Sequence, residues 1–473
     1  MKTVCLIIPP SCFLLDEKVF ASLGILKVAA SLEMAGHVEV LDLSGVTNYV
    51  EALADHAMST SADVFGITAT TPQMPACVKI VEALRRCRPD ARLILGGPHV
   101  TLVHASKNER AKWTLSKLVD MFDVLVVGDG EDAILEAVKP RCRKLVNADD
   151  PKGRLFLTNK RLGELPLPAR HLIDMGSYHY SIDGVDSCSM VAQLGCPFSC
   201  NFCGGRSSPM LRRIRTRTTA SVVAELRHLH DVYGYRGCMM YDDELNVNKS
   251  MVELMNAIAD MGIDWRLRGF IKAELFTNEQ AAAMYRAGFR WILVGFESGS
   301  ERILRNINKK ATRDDNTRCL RIAHKHGLKV KALMSIGHPG ESETSVTDTE
   351  EWLMEQRPDD FDVTVITTYP GTPYYDQAVC EHDLWRYTIN GDALYSHEID
   401  FHKSAGYYKG IPGEYQSFVF TDYLTANDIV RLRDDVERGV RAELGIPYNH
   451  GQPGKRYEAS MGQLPGHMLR KTS

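Results

Sequence analysis

Unbroken apolar runs of about five residues alternate with helix-spaced segments over the first 140 residues of this 473-residue chain. Val4–Ile8 reads as a buried strand that stops at Pro9-Pro10, and Leu23–Ala35 has helical spacing that ends at Gly36. Val38–Leu43 and Asp63–Thr68 are the next strands, Pro75–Arg88 is helical, and Arg92–Leu95 and Val124–Val127 complete five strands. Such alternation predicts a Rossmann-like, doubly wound parallel sheet, since parallel neighbours need a crossover element between them. Ligands of these sheets gather at strand carboxyl ends. Here the ends carry Pro9-Pro10, Thr68–Thr71, Gly96-Gly97 and Gly128–Glu131. No G-x-G-x-x-G follows the first strand, which argues against NAD or FAD.

The pattern changes at about residue 147. Asn147–Ser187, with Asp149-Asp-Pro-Lys-Gly and Leu165-Pro-Leu-Pro168, reads as an extended linker. From about Ser189 strands return, at Met190–Leu194, Gly237–Tyr241, Asp264–Arg268, Trp291–Phe296, Lys329–Ile336 and Val363–Thr368. Helices fall between them, and the six units predict a partial (β/α)6 barrel with its chemistry at the strand carboxyl ends. Those ends are Asp242–Glu244, Arg268-Gly269, Glu297–Gly299, Gly337–Glu341 and Tyr369–Thr372. The expected division is 1–146 for the sheet domain, 147–187 for the linker, 188–380 for the barrel and 381–473 for a small C-terminal region. That last region is rich in aromatics, and Thr425-Ala-Asn-Asp428 reads as the cap of a helix running to about Leu444.

Composition narrows the class. With 44% hydrophobic and 25% charged residues the chain builds two or three cores. A net charge of −4 argues against a nucleic-acid partner, which needs a basic face. The N-terminal apolar run is too short for a leader, and no stretch of about 20 apolar residues occurs, so no membrane association is expected. Of the twelve cysteines, nine are scattered singly, as free thiols of a reducing cytoplasm would be.

The other three, Cys196, Cys200 and Cys203, stand in Gly195-Cys-Pro-Phe-Ser-Cys-Asn-Phe-Cys-Gly-Gly205. Three thiolates in eight residues can hold three irons of a [4Fe–4S] cluster and leave the fourth iron open, where electron carriers supply a fourth cysteine; three unrelated buried thiols or a zinc knuckle are the alternatives. Zinc wants four ligands, usually in two pairs, and no second pair follows. The C-x3-C-x2-C spacing, with the aromatic Phe202 before the last cysteine, resembles the radical S-adenosylmethionine (SAM) superfamily. There SAM chelates the open iron and its reductive cleavage yields a 5′-deoxyadenosyl radical. The early Pro-Pro, "LGILKVAASLEMAGHVEVLDL", "DVFGITATTPQ", "LILGGPHVT" and "DVLVVGDGE" resemble the cobalamin-binding domain that precedes the barrel in one large radical SAM class. "YDDELN", "GFESGSERIL", "IGHPGE" and "TTYPGTPYY" are similar to the same class, so that the resemblance spans residues 1–380 in order.

The resemblance implies three cofactors: a [4Fe–4S] cluster, SAM and cobalamin. It implies cobalamin contacts at Pro9, Pro10, Thr68, Thr70, Gly96, Gly97, Gly128 and Glu131. For SAM it implies Phe202, Glu297, Ser298, the backbone at Ile336 and Gly337, and Arg268 at the carboxylate. The D-x-H-x-x-G of His-ligated cobalamin proteins is missing, so His99 is not assigned to cobalt, and Asp400-Phe-His402 is misplaced for that role. The reaction implied is methyl transfer to an unactivated carbon, or phosphorus, of a small biosynthetic intermediate. One SAM would methylate the cobalamin and a second would supply the radical, with a flavodoxin or ferredoxin as electron donor. A cyclase, ring-contracting enzyme or anaerobic oxidase of the same class is the first alternative, and a non-catalytic cluster and corrinoid carrier or sensor the second. No residue is singled out as catalytic. Asp242 and Asp243 read as loop caps, Glu341 as the cap of the next helix, and the five arginines of Arg206–Arg217 as a solvated face or as contacts to a phosphate or acidic substrate.

Overall fold

Val4–Ile8 has no charged side chain and forms β1, buried along its whole length in a computed structural model that describes residues 3–408, 416–447 and 469–471. Five further parallel strands join it: β2 (Val38–Asp42), β3 (Val64–Thr68), β4 (Arg92–Gly96), β5 (Val124–Gly128) and β6 (Leu145–Ala148). Their order is 2-1-3-4-5-6, with a short antiparallel segment, Leu469–Lys471, on the outer edge of β2. β1 pairs with both β2 and β3, so the winding direction reverses there and opens a crevice at the carboxyl ends. Helices cover both faces, which explains why these strands read as continuous apolar runs.

β6 was not expected. It pairs in parallel with β5 across the point where a linker was placed, because only Val146 and Ala148 of its four residues are buried and so short an edge strand leaves little apolar signal.

The second sheet holds six parallel strands in sequence order: β7 (Val185–Met190), β8 (Gly237–Met240), β9 (Arg266–Ile271), β10 (Phe289–Glu297), β11 (Lys329–Ile336) and β12 (Asp360–Val365). β12 and β7 do not pair, so the curled sheet is a partial (β/α)6 barrel. One face of each strand, for example Leu267, Ile292, Val294, Val330 and Ala332, packs under the helices with Leu254, Ile258 and Leu320. The other face carries Arg268, Phe270, Lys331 and Ser335 and lines the lumen. The first strand is Val185–Met190 rather than Met190–Leu194. Its alternate Ser187 and Ser189 break the apolar run and hid it in the expected linker.

After the barrel come four antiparallel strands within Val379–Thr421 and the helix Ala426–Leu444. Thr425 and Asp428 form its capping box, and Glu437 on its buried side accepts the Val363 amide of β12 at 2.7 Å.

Candidate functional site

The chain leaves β7, makes a two-residue hairpin strand at Gln193–Leu194 and enters the cysteine loop. Asp242 and Asp243, just past β8, pin that entrance. The Asp242 carboxylate accepts the amides of Ala192, at 3.0 Å, and of Gln193, and Asp243 accepts the amide of Gly195 at 3.1 Å. Gly195 has φ +87°, and a Cβ on it would collide with the Arg213 carbonyl. The loop carbonyls are held by side chains: Arg212 donates to Pro197 at 2.8 Å, and Arg206 and Asn308 to Ser199 at 2.5 and 2.9 Å. Arg215 ion-pairs with Asp129 and Arg217 with Glu225. Four of the five arginines in the basic stretch therefore brace the loop and its flanks, while Arg213 is exposed.

Burial pushes the Cys196 thiol up to about 11 and raises that of Cys200, so both sulfurs ionise readily only against a metal. At least one pair of the three loop sulfurs lies more than 4.8 Å apart, since among the described residues only Cys5, Glu39 and His56 close within that distance. A single zinc spans at most about 4.6 Å between two sulfurs. The donor set thus fits a multi-iron cluster better than one ion. The Cys5, Glu39 and His56 trio is buried on the far face of the first sheet and hydrogen-bonded within itself.

Charged side chains surround this loop, and two of them, Lys272 and Lys309, carry no obvious sequence signal. Glu297, at a β-bulge with φ +66°, accepts Lys309 Nζ at 2.8 Å and Ser335 Oγ at 2.7 Å. Burial would raise its pKa, but the Lys309 ammonium and these hydrogen bonds win and hold it below the usual carboxylate range. Tyr374, His338 and Ser335 form a chain that ends on Glu297. The Tyr374 hydroxyl donates to His338 Nδ1 at 3.2 Å, and Nε2 donates to Ser335 Oγ at 2.8 Å. Lys272 Nζ donates to the Lys309 carbonyl at 3.1 Å and lies 4.3 Å from the Phe198 ring of the loop. Glu244 is pushed up to about 7 by burial and keeps Oε2 buried without a partner. Such an orphan acceptor beside the loop fits a bound group that supplies the donor.

The residues expected at SAM divide. Phe202 lies 5.3 Å from the His338 ring, and Gly337 (φ +97°) donates its amide to Glu341 at 3.1 Å just beyond Ile336, so that Phe202, Glu297, Ile336 and Gly337 share one mouth. Glu341 also accepts Ser345 Oγ at 2.6 Å, but the cap of the next helix is Ser342 and not Glu341, whose carboxylate instead closes the Gly337–His338 turn. Ser298 Oγ is spent on Thr349 Oγ1 and the Ser300 amide, both at 3.1 Å. Arg268 is not at a strand end. It sits inside β9, and its register partner Trp291 lies six residues before Glu297, about 20 Å along the strand.

On the other side of the Val191–Leu194 stretch is a cavity of about 300 Å³ at the crevice of the first sheet. Leu6, Gly66, Thr68, Ile94, Gly96, Val126 and Gly128 are its floor, Leu23–Val28 a wall, and Val191, Leu194 and Met210 its roof. Gly96 and Gly24 leave the space a side chain would fill: a Cβ on Gly96 meets nothing closer than 3.9 Å, and one on Gly24 nothing within 4 Å. The apolar, glycine-floored lining of this slot suits a corrin ring. Of the expected cobalamin residues, Thr68, Gly96, Gly97, Gly128 and Glu131 line it. Pro9, Pro10 and Thr70 do not: Pro9 offers its carbonyl to Gln73 at 3.1 Å, and Thr70 caps the turn at Thr71–Gln73. His99 is buried, holds Thr71 Oγ1 at 3.1 Å and packs 6.1 Å from the His402 ring.

The sequence matches the profile of the radical SAM superfamily over residues 190–353 and that of the B12 binding domain over residues 17–138. An uncharacterized methyltransferase of Pyrococcus horikoshii is 27% identical over 406 residues, 81% of this chain and 85% of the relative. The anaerobic magnesium-protoporphyrin IX monomethyl ester cyclase of Cereibacter sphaeroides is 23% identical over 386 residues, 76% of this chain and 61% of that protein. Among solved structures, the radical SAM methyltransferase TsrM of Kitasatospora setae, with tryptophan and a SAM analogue bound, superposes with a TM-score of 0.65 at 18% identity. That match covers 96% of this chain and 93% of the other, and it is a likeness of fold.

Proposed function

Because this chain belongs to the cobalamin-dependent radical SAM enzymes, we propose that it is a methyltransferase acting on an unactivated carbon, or phosphorus, of a small molecule. One observation carries the reading. The stretch Val191–Met210 roofs the glycine-floored cavity with Val191, Leu194 and Met210, and between them it presents Cys196, Cys200 and Cys203. The cavity and the cysteine loop therefore lie against one short stretch of chain, which suits two cofactors working on one substrate better than a carrier of either alone.

In this reading the three cysteines hold the [4Fe–4S] cluster. Glu297, Phe202 and the backbone at Ile336-Gly337 hold SAM, and Thr68, Gly96, Gly97, Gly128 and Glu131 receive cobalamin. The bound cofactors supply radical generation and methyl carriage. The chain's own part is positional. Lys309 keeps Glu297 ionised as a hydrogen-bond acceptor, the Asp242 and Asp243 caps fix where the cysteine loop starts, and the apolar lining excludes water. The scatter of free cysteines supports a reducing, cytoplasmic setting, with a flavodoxin or ferredoxin as reductant.

A second reading, cyclisation without methyl transfer, draws on the similarity to the cyclase, of which the chain spans only three fifths. One assay separates the two. Enzyme given SAM with a deuterated methyl group, a low-potential reductant and candidate substrates should form S-adenosylhomocysteine and 5′-deoxyadenosine in equal amounts, with heavy methyl in the product. Substrate-dependent 5′-deoxyadenosine without S-adenosylhomocysteine or heavy product would replace the first reading by the second.

A further inference from the structure

Four cations stand on the lumen face of the barrel, at Arg266 and Arg268 of β9 and Lys329 and Lys331 of β11, and three are neutralised. Arg266 pairs with Asp264 at 2.7 Å, Lys329 with Asp183 at 3.3 Å, and Lys331 with Asp360 and Asp362, both at 2.9 Å. Arg268 is the exception. Among the described residues its guanidinium meets only the Tyr180 hydroxyl, at 3.3 Å, and the face of Trp291, at 5.7 Å, and its Nε is buried without a partner. A partly buried guanidinium lacking an anion is costly, and its planar fork matches an oxyanion.

Aromatic rings lead from this group to the mouth. Tyr180 lies 4.4 Å from Phe20, Phe20 5.4 Å from Tyr241, and Tyr241 6.1 Å from Phe270, two residues beyond Arg268 on the same face. Tyr241 directly follows β8, donates its amide to Met190 beside the cysteine loop and is 51% exposed. Aromatic side chains left partly open on one face are contact surfaces for a flat ligand. Arg268 lies three residues, about 10 Å, below the end of its own strand.

Resting on the methyltransferase reading, we propose that the substrate is a flat, conjugated molecule that carries an oxyanion. Arg268 receives the anion at depth, and Phe20, Tyr180, Tyr241 and Phe270 hold the ring system, so that the far edge of the molecule stands at the mouth. Arg268 is a specificity residue for substrate and does not contact SAM.

The test uses enzyme loaded with cluster, SAM and cobalamin, and equilibrium dialysis of 2-naphthoate, 2-naphthyl phosphate and neutral 2-naphthamide. At least one of the two anions should bind about ten-fold or more tighter than the amide, as a charge-assisted bond of about 1.5–3 kcal/mol requires. Comparison of the two anions tells carboxylate from phosphate. In Arg268→Met the preference should vanish while corrinoid and iron content stay at the parent level. Tyr241→Ala should weaken all three probes alike. Equal binding of anions and amide by the parent, no binding of any, or a preference that survives Arg268→Met would overturn the inference. The parent's comparison stands even if the variant misfolds. Heavy-methyl transfer without anion preference would sink this inference alone, and anion preference without methyl transfer would sink the function reading alone.

Discussion

His99 has no exposed surface and keeps Nδ1 on Thr71 Oγ1, and burial, with the nearby His402, depresses its pKa to about 3. A base whose folded pKa is lowered loses stability as pH falls, because below its unfolded value of about 6.5 the unfolded chain takes up a proton that the folded chain refuses. Between pH 6.5 and 5 this single group should cost roughly 2 kcal/mol. Denaturant titrations at the two pH values should show that loss in the parent and a smaller one in His99→Asn, whose amide keeps the Thr71 contact. Equal losses in both would mean that the His99 pKa does not differ between the folded and the unfolded chain. In sequence His99 follows a strand in a glycine-rich turn and was only set aside as a cobalt ligand; its burial and its Thr71 contact are what the fold adds.

The cysteine loop is an element whose shape is set by its neighbours. Gly195 turns where any side chain would meet the Arg213 carbonyl, and Arg206, Arg212 and Asn308 close its carbonyls from outside. After anaerobic reconstitution the chain should hold about four irons. Replacing Cys196, Cys200 and Cys203 together by alanine should remove the iron–sulfur absorbance and leave cobalamin bound. Gly195→Ala should lower iron content with corrinoid content intact, since it distorts only the loop entrance. The β4 turn should behave conversely. Gly96→Leu places its side chain in the cavity, where a Cβ has room, so it should abolish corrinoid retention and leave the cluster in place. Iron and corrinoid analyses of the same preparations check all three, and a loop variant that loses corrinoid, or Gly96→Leu that retains it, contradicts the assignment.

At the scale of the whole molecule, the two sheets are joined by buried ion pairs as well as by apolar contacts. Asp129, at the end of β5, pairs with Arg215 from the strand that closes the cysteine loop, and both side chains are 3% exposed. Arg170, between the two sheets, pairs with Glu225 of the barrel at 2.8 Å. Removing one partner of such a pair strands a buried charge, at a cost of about 3–5 kcal/mol. Arg215→Met should therefore lower the melting temperature and expose the junction near Leu157 to protease, whereas a pair that merely decorates the surface would leave both unchanged. The same junction roofs the cavity, so bound cobalamin should protect it.

Composition, period and spacing were enough for the two-part α/β architecture and for the cysteine loop. Apolar runs report burial on both sheet faces, and three cysteines within eight residues are a local fact that no packing can alter. Lys329–Ile336 and the helix after Thr425 were legible for the same reason, because their signals lie within one element. β6 and β7 were not, since a short edge strand and a strand with serines facing a lumen show little apolar contrast. The Lys309 and Glu297 pair, the chain from Tyr374 through His338, and the bracing arginines join residues from different strands and loops. Arg268 is the sharpest case. In sequence it precedes a glycine near a strand end, but the register of β9 against β10 sets it deep in the lumen, far along the strand from Glu297. Depth along a barrel is a property of strand stagger, and stagger is decided only when the sheet assembles.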